Sequence, residues 1–277
     1  MQNKDYMSKL FGLENQIVVL TGGMGKLGTQ YAQALAKAGA KVVIFDLTNE
    51  PNEQLAELAK DYPIMFLKVD IRKEQEVIEA VKDVEKEWGA PTILINNAGW
   101  KASPNVPSKA SVPFEEYPMN IWDEVFEINT KAAAICSKII GENMIKKQKE
   151  GTIINIASQY GLVSADQRVY EYRESIGKNK FVKDAPYGAS KAALIALTKD
   201  LATQWAKYGI RVIAFAPGGV FNPKSDKQFV DNYSARVPLG RMANVDEYNG
   251  IIVFLASKAS SYMTGNVIVA DGGWTAW

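Results

Sequence analysis

Seven short apolar segments recur along the chain, and longer stretches with helical periodicity separate them. Most of these segments are continuous runs of Val, Ile, Leu and Phe, as expected for strands buried on both faces of a parallel sheet. The predicted strands are 16–21, 41–46, 64–69, 92–96, 152–158, 211–216 and 266–270. The predicted helices are 27–38, 53–61, 73–88, 121–147, 188–208 and 245–257. This alternation predicts an α/β fold of the doubly wound Rossmann type, with a mostly parallel seven-stranded sheet and helices on both faces.

No repeat, linker or low-complexity tract interrupts the alternation, so we expect one domain over residues 1–277. Two long connections, 100–120 and 160–186, follow the fourth and fifth predicted strands. Open α/β sheets bind ligands beyond the C-terminal ends of their strands. We therefore expect the 160–186 segment and the loop 218–244 to form the rim of a substrate site. Four side chains of the segment are candidates for contacting carboxylate or hydroxyl groups: Arg168, Tyr170, Tyr172 and Arg173.

Composition narrows the possible chemistry. The 277 residues include 32 basic and 31 acidic side chains, one cysteine and no histidine. A near-zero net charge argues against a nucleic-acid or membrane-surface partner. Without histidine there is no Ser-His-Asp triad, and any general base must be Tyr, Lys, Asp or Glu. We expect no metal site, and the lack of a signal-like or membrane-spanning segment predicts a cytoplasmic protein.

A glycine-rich loop follows the first predicted strand and opens the first helix. Gly23, Gly25 and Gly28 satisfy the G-x-G-x-x-G pattern, in which the backbone approaches a pyrophosphate at a helix N-terminus. Asp46 ends the second predicted strand, where a carboxylate binds the adenosine ribose of NAD and repels the 2′-phosphate of NADP. Lys26 leaves NADP open, because a cation beside the loop could attract that phosphate.

Two further motifs resemble those of a known family. An NNAG motif occupies 96–99 at the end of the fourth predicted strand, and a YxxxK motif occupies 187–191 at the start of a helix. Together with the glycine loop they resemble the short-chain dehydrogenase/reductase family over nearly the whole chain. The loop spacing is that of the extended branch, but the NNAG motif and the length indicate the compact, single-domain branch. The insertion 160–186 is a departure, because it separates the Ser and Tyr of the family pattern more widely than usual.

The resemblance implies roles for individual residues. The implied catalytic residues are Asn129, Ser158, Tyr187 and Lys191. Tyr187 would exchange a proton with the substrate oxygen, Ser158 would hydrogen-bond that oxygen, and Asn129 would hold a proton-relay water. The implied cofactor-binding residues, including those of the glycine loop, are Gly22, Gly23, Gly25, Lys26, Leu27, Gly28, Asp46, Asp70, Ile71, Asn97, Ala98, Gly99, Tyr187, Lys191, Pro217, Gly218 and Val220.

The YxxxK motif also has a rationale of its own. Residues four apart share one face of a helix, so Tyr187 and Lys191 are expected to lie side by side. A free tyrosine has a pKa of about 10, and a nearby ammonium favours the ionised phenol. The sequence therefore predicts that Lys191 lowers the pKa of Tyr187 toward neutral pH.

These observations predict an NAD(H)-dependent oxidoreductase that interconverts a secondary alcohol and a ketone. A small polyol, sugar or sugar acid is the expected substrate, given the polar insertion. Two alternatives stay open: an NADP(H)-dependent carbonyl reductase of biosynthesis, and a catalytically silent nucleotide-binding regulator on the same fold. The resemblance also implies a homotetramer, with a dimer as the alternative, in which the two long helices 121–147 and 188–208 pair between subunits.

Overall fold

The computed structural model describes residues 2–100, 110–175 and 181–277. Two sections of predicted loops, 101–109 in the connection 100–120 and 176–180 in the insertion 160–186, lie outside the described residues. Within the described ranges, no helix combines the length and apolar character that a membrane-spanning helix needs.

A seven-stranded sheet runs through the described chain. Its strands are β1 Ile17–Thr21, β2 Lys41–Asp46, β3 Ile64–Lys68, β4 Ile93–Asn96, β5 Gly151–Ile156, β6 Ile210–Pro217 and β7 Val267–Ala270. Their order is β3-β2-β1-β4-β5-β6-β7, and every pairing is parallel. The predicted doubly wound α/β fold is confirmed, and the sheet is entirely parallel where a mostly parallel one was expected. The fifth strand ends at Ile156, so Ser158 lies beyond it.

Helices cover both faces of the sheet. They are α1 Gln2–Phe11, α2 Lys26–Lys37, α3 Glu53–Asp61, α4 Glu74–Glu87, α5 Met119–Phe126, α6 Ala132–Lys146, α7 Tyr172–Ser175, α8 Ala185–Trp205, α9 Lys227–Ser234 and α10 Asn249–Ala256. The sequence pattern did not predict α1, α7 and α9, which are short and largely polar. The single helix predicted over 121–147 is α5 and α6 joined through a π-helical segment, Glu127–Lys131.

Two apolar cores hold the layers together, one on each face of the sheet. Alternate side chains of one strand enter opposite cores: Val18 and Leu20 pack with α2 and α10, whereas Val19 packs with α4 and α6. The single cysteine, Cys136, is fully buried in the second core. Burial raises the pKa of its thiol to about 12, so this residue is a packing residue rather than a nucleophile.

A smaller apolar cluster joins three segments that are distant in sequence. Val169, Tyr170 and Phe181 from the insertion pack against Tyr233 of α9 and Trp274 near the C-terminus. The ring centroids of Tyr233 and Trp274 lie 4.6 Å apart in a stacked arrangement. This cluster stands beyond the C-terminal edge of the sheet, so it provides one wall for whatever binds there.

Candidate active site

A cleft of about 950 Å³ opens along the C-terminal edge of the sheet. It lies at the point where β1 has β2 on one side and β4 on the other, the switch point at which open α/β sheets bind ligands. The predicted site residues that line it are Gly22, Gly25, Lys26, Leu27, Gly28, Asp46, Asp70, Ile71, Asn97, Ala98, Gly99, Ser158, Tyr187, Lys191, Pro217, Gly218 and Val220. Two predicted residues, Gly23 and Asn129, support the cleft from behind instead of lining it.

The glycine loop is shaped by close backbone contacts. Gly22 has a φ of +65°, which favours glycine, and an added Cβ there would lie 2.8 Å from the Cα of Ala98. A Cβ on Gly28 would press on the carbonyl oxygen of Gly22 and lie 2.7 Å from the Cα of Gly23. Gly23 itself packs on Ile44 of β2. The loop is therefore a cradle that side chains would fill, and it leads directly into the N-terminus of α2, where a phosphate can bind.

The NNAG motif is tied directly to this loop. The Asn97 side-chain amide donates to the carbonyl oxygens of Thr21 and Gly22, both at 3.0 Å. The backbone N–H groups of Asn97 and Ala98 donate to the Thr21 hydroxyl at 3.0 and 3.1 Å. These four hydrogen bonds join the ends of β1 and β4 into one floor for a dinucleotide.

The end of β2 presents an oriented carboxylate. Asp46 accepts hydrogen bonds from the backbone N–H groups of Met24 at 2.9 Å and Leu47 at 2.8 Å. The Lys26 ammonium donates instead to the carbonyl oxygen of Phe221, which follows β6. Since β2 and β6 are separated by three strands in the sheet, Lys26 is directed away from Asp46 and the adenosine end of the cleft.

At the same end, Asp70 and Ile71 follow β3. The Arg72 guanidinium binds the Asp70 carboxylate through two hydrogen bonds of 2.8 and 2.7 Å. These hydrogen bonds hold the pKa of Asp70 below its usual range, although partial burial acts in the opposite direction. Arg72 is a cleft residue that the sequence analysis missed, and its position two residues after Asp70 was the available signal.

The proposed acid–base residues meet where β5 ends and α8 begins. Lys191 is 4% exposed, and its ammonium donates to the carbonyl oxygen of Ile156 at 2.7 Å. The Ser158 hydroxyl accepts from the backbone N–H of Tyr160 at 3.2 Å and is hydrogen-bonded to the Tyr187 phenol. The structure thus brings Ser158, Tyr187 and Lys191 together on one side of the cleft, as the sequence predicts.

One electrostatic expectation is wrong. Burial raises the pKa of the Tyr187 phenol, the hydrogen bond with Ser158 lowers it, and the charge of Asp184 raises it again. The net shift of the Tyr187 pKa is upward, whereas the spacing of Tyr187 and Lys191 predicts a downward shift. Removal of the phenol from water is the dominant cause, because a phenolate loses more solvation than a phenol does. The Lys191 ammonium meanwhile binds the Ile156 carbonyl.

Asn129 lies inside the π-helical segment and is 1% exposed. Its side-chain oxygen accepts from the Trp100 N–H at 2.6 Å, and its amide N–H groups donate to the Trp100 carbonyl at 3.1 Å and to the Ser190 hydroxyl at 3.0 Å. Ser190 in turn donates to the carbonyl oxygen of Tyr187 at 2.8 Å. In this structure Asn129 therefore fastens the chain after β4 to the first turns of α8.

The substrate end contains two of the four candidates from the insertion. Tyr170 and Tyr172 line the cleft. Arg168 is exposed and pairs with Asp166, with N–O distances of 2.9 Å. Arg173 is buried outside the cleft, with its guanidinium 5.9 Å from the ring centroid of Phe181. The expectation that these two arginines contact a substrate is therefore not supported.

Several cleft residues were not predicted. Those at the substrate end are Trp100, Gln159, Tyr160, Lys183, Phe229, Tyr233 and Met242. Each carried a signal: Trp100 and Gln159 adjoin motif residues, and the other five fall in the predicted rim segments 160–186 and 218–244.

Comparison with known proteins agrees with this geometry. Residues 24–275 match the family model described as enoyl-(acyl carrier protein) reductase. The chain is 31% identical to gluconate 5-dehydrogenase of Gluconobacter oxydans, over 96% of this chain and 97% of that one. It is 30% identical to an NAD-dependent glycerol dehydrogenase of Listeria innocua, over 96% of each chain. A crystal structure of a Burkholderia cenocepacia gluconate 5-dehydrogenase with NADP and tartrate superposes with a TM-score of 0.84, at 29% identity over 98% of this chain and 99% of that one.

The fold and site define an oxidoreductase that acts on CH–OH groups with a nicotinamide cofactor, NAD(P). The chain belongs to the short-chain dehydrogenase/reductase family, as its motifs predict. Its cradle of glycines and its Tyr–Lys–Ser group fit such a cofactor.

The packing of the glycine loop generates a prediction. The substitution Gly28→Ala should raise the dissociation constant for NADH by about tenfold or more, equivalent to ~1.4 kcal/mol, because the new methyl group must displace loop backbone. The dissociation constant can be measured from the quenching of protein fluorescence by NADH. Gly250→Ala in α10 is the matched control, since an added Cβ there has nothing within 4 Å. Equal affinities of the two variants would contradict the cradle.

Proposed function

We propose that the protein is an NAD(H)-dependent dehydrogenase that interconverts a secondary alcohol and a ketone on a small polyol or sugar acid. The observation that carries this proposal is the grouping of Tyr187, Lys191 and Ser158 beside a dinucleotide-sized cleft. The substrate class is supported by the polar, tyrosine-bearing substrate end and by relatives named for gluconate and glycerol. In keeping with one site at one sheet edge, we propose that residues 1–277 act as a single domain.

The proposed chemistry divides the work between cofactor and chain. The nicotinamide supplies or accepts the hydride when bound. Tyr187 gives its phenolic proton to the carbonyl oxygen in reduction and takes it back in oxidation, while Ser158 donates a hydrogen bond to the same oxygen. Because burial raises the pKa of Tyr187, the phenol is protonated at neutral pH, which is the state that a proton donor requires. Lys191 lies beneath it to hold the nicotinamide ribose.

We propose NAD over NADP as the preferred cofactor. Asp46 is held in place by two backbone N–H groups at the end of β2, where a 2′-phosphate would have to lie. The Asp46 carboxylate and a 2′-phosphate would repel each other. The next residue is Leu47, an uncharged side chain that cannot offset this repulsion as a cation would. Lys26, which left NADP open in the sequence analysis, is engaged with Phe221 on the far side of the cleft.

The proton-transfer role of Tyr187 is tested by Tyr187→Phe. The ring is kept and the transferable proton is lost, so kcat should fall by about 10²–10⁴-fold, while NADH affinity stays close to that of the parent protein. Tyr208→Phe, at a 44% exposed position, is the control and should keep full activity. A Tyr187→Phe enzyme with near-parental kcat would contradict the proposal. The pH profile gives a further measure: reduction should persist through neutral pH, and oxidation should accelerate as pH rises.

Cofactor choice is tested by Asp46→Ala. We expect the parent enzyme to have a higher kcat/KM with NAD⁺ than with NADP⁺, and the substitution should narrow that gap by removing the repulsion with the 2′-phosphate. Asp61→Ala, an exposed carboxylate at the end of α3, is the matched control. Equal efficiency of the parent enzyme with both cofactors would favour the alternative of an NADP(H)-dependent carbonyl reductase.

We also propose a homotetramer. Ala192 and Ala196 of α8 are exposed although apolar, which favours a helix–helix contact between subunits. The other predicted face gives less support, since Ala132, Ile139 and Ile140 of α6 are buried in the core of their own chain. Light scattering should give four times the chain mass of 30.5 kDa. A concentration-independent monomer mass would contradict the tetramer, and Ala192→Glu should dissociate it if α8 forms the contact.

A further inference from the structure

Lys183 lies at the substrate end of the cleft, beside the proposed acid–base group of Ser158, Tyr187 and Lys191, and has no part in the proton transfer proposed above. Lys183 lines the cleft, and its side chain is 9% exposed. Its ammonium nitrogen is 4.3 Å from the ring centroid of Tyr187. A positive charge is therefore held close to the Tyr187 ring, whose phenol would face the reacting oxygen of the substrate.

A buried carboxylate keeps this ammonium in place. The Nζ of Lys183 lies 2.5 Å from Oδ1 of Asp184, and the Asp184 side chain is fully buried. A buried ion pair of this kind offsets part of the cost of removing the ammonium from water. An ammonium has three N–H donors, so it can bind more than one acceptor at a time.

The backbone around Lys183 is fixed as well. The Gln167 side chain accepts from the Lys183 N–H at 2.9 Å and donates to its carbonyl oxygen at 3.1 Å. Asp184 then leads directly into α8, whose first turn carries Tyr187. The ammonium and the phenol therefore belong to one rigid unit, which is what a preorganised binding group requires.

The distribution of charge in the cleft separates Lys183 from the other cations. In the part of the chain that the structure describes, the other lysines and arginines lining the cleft are Lys26, Arg72 and Lys191. Lys26 and Arg72 lie toward the cofactor end, where they engage Phe221 and Asp70. The Lys191 ammonium donates to the Ile156 carbonyl. Lys183 lies at the substrate end, where Tyr170, Tyr172 and Phe229 also line the cleft.

We infer that Lys183 binds a carboxylate of the substrate, so that the enzyme selects hydroxy or keto acids of the sugar-acid class over neutral polyols. This inference rests on the proposed dehydrogenase function and narrows its substrate class. A charge-assisted hydrogen bond to a partly desolvated carboxylate is stronger than one to a hydroxyl group. The bound acid would lie with its carboxylate at Lys183 and its reacting carbon at Tyr187.

The test compares gluconate with glucitol, which share one carbon chain and differ at C1 by a carboxylate in place of a CH₂OH group. The parent enzyme should have a kcat/KM at least about tenfold higher for gluconate. Lys183→Met should abolish that ratio mainly by raising KM for gluconate, and Lys183→Arg should restore much of it. Arg168→Met, an exposed cation of the same insertion outside the cleft, should keep the parental ratio. A ratio that Lys183→Met leaves intact would overturn the inference.

A binding measurement separates this inference from the proposed function. With NADH present, tartrate should raise the unfolding temperature of the parent protein more than threitol, its neutral four-carbon counterpart. Lys183→Met should remove the difference, and Lys183→Arg should keep it. If tartrate discrimination depends on Lys183 but no alcohol or ketone is turned over with either cofactor, the proposed function fails alone. If substrates are turned over and neither discrimination depends on Lys183, the inference fails alone.

Discussion

The site depends on one side-chain amide, that of Asn129. Its three hydrogen bonds connect Trp100, which follows β4, with Ser190 in the first turns of α8. A π-helical segment sets Asn129 at this junction, in agreement with the frequent occurrence of such segments at functional sites. Because Ser190 also bonds the Tyr187 carbonyl, the phenol is positioned relative to the floor of the cleft through Asn129.

Around this junction, burial decides the electrostatics. The fold removes the side chains of Tyr187, Lys191 and Lys183 from much of the surrounding water. Loss of solvation raises the pKa of Tyr187, a backbone carbonyl accepts from Lys191, and a carboxylate compensates Lys183. The phenol is consequently protonated at neutral pH, the state that the proposed proton donor requires, and the ammonium groups of Lys191 and Lys183 belong to the same cleft.

The features that the sequence predicts are those set by backbone pattern. Continuous apolar runs indicate the buried parallel strands, and the motifs at their ends predict which residues gather at one edge, because strand ends meet there. Side-chain direction was not predictable in this way. The orientation of Lys26 toward Phe221, the displacement of Arg173 onto Phe181 and the burial of Lys183 all follow from tertiary packing of the insertion and α9. The upward shift in the pKa of Tyr187 likewise follows from burial. The spacing of Tyr187 and Lys191 along the sequence gives no information about how deeply the phenol is buried.

The central claim is that a carbon-bound hydrogen of the substrate is transferred to the nicotinamide as a hydride. Isotope labelling tests this transfer most directly. The enzyme would be incubated with NAD⁺ and gluconate or glucitol carrying deuterium at the hydroxyl-bearing carbons, and the cofactor then analysed by mass spectrometry. We expect reduced cofactor that is one mass unit heavier than NADH and a substrate with one ketone group. Reduced cofactor without the label, or a ketone formed with no reduced cofactor, would contradict the assignment of this cleft as a dehydrogenase site.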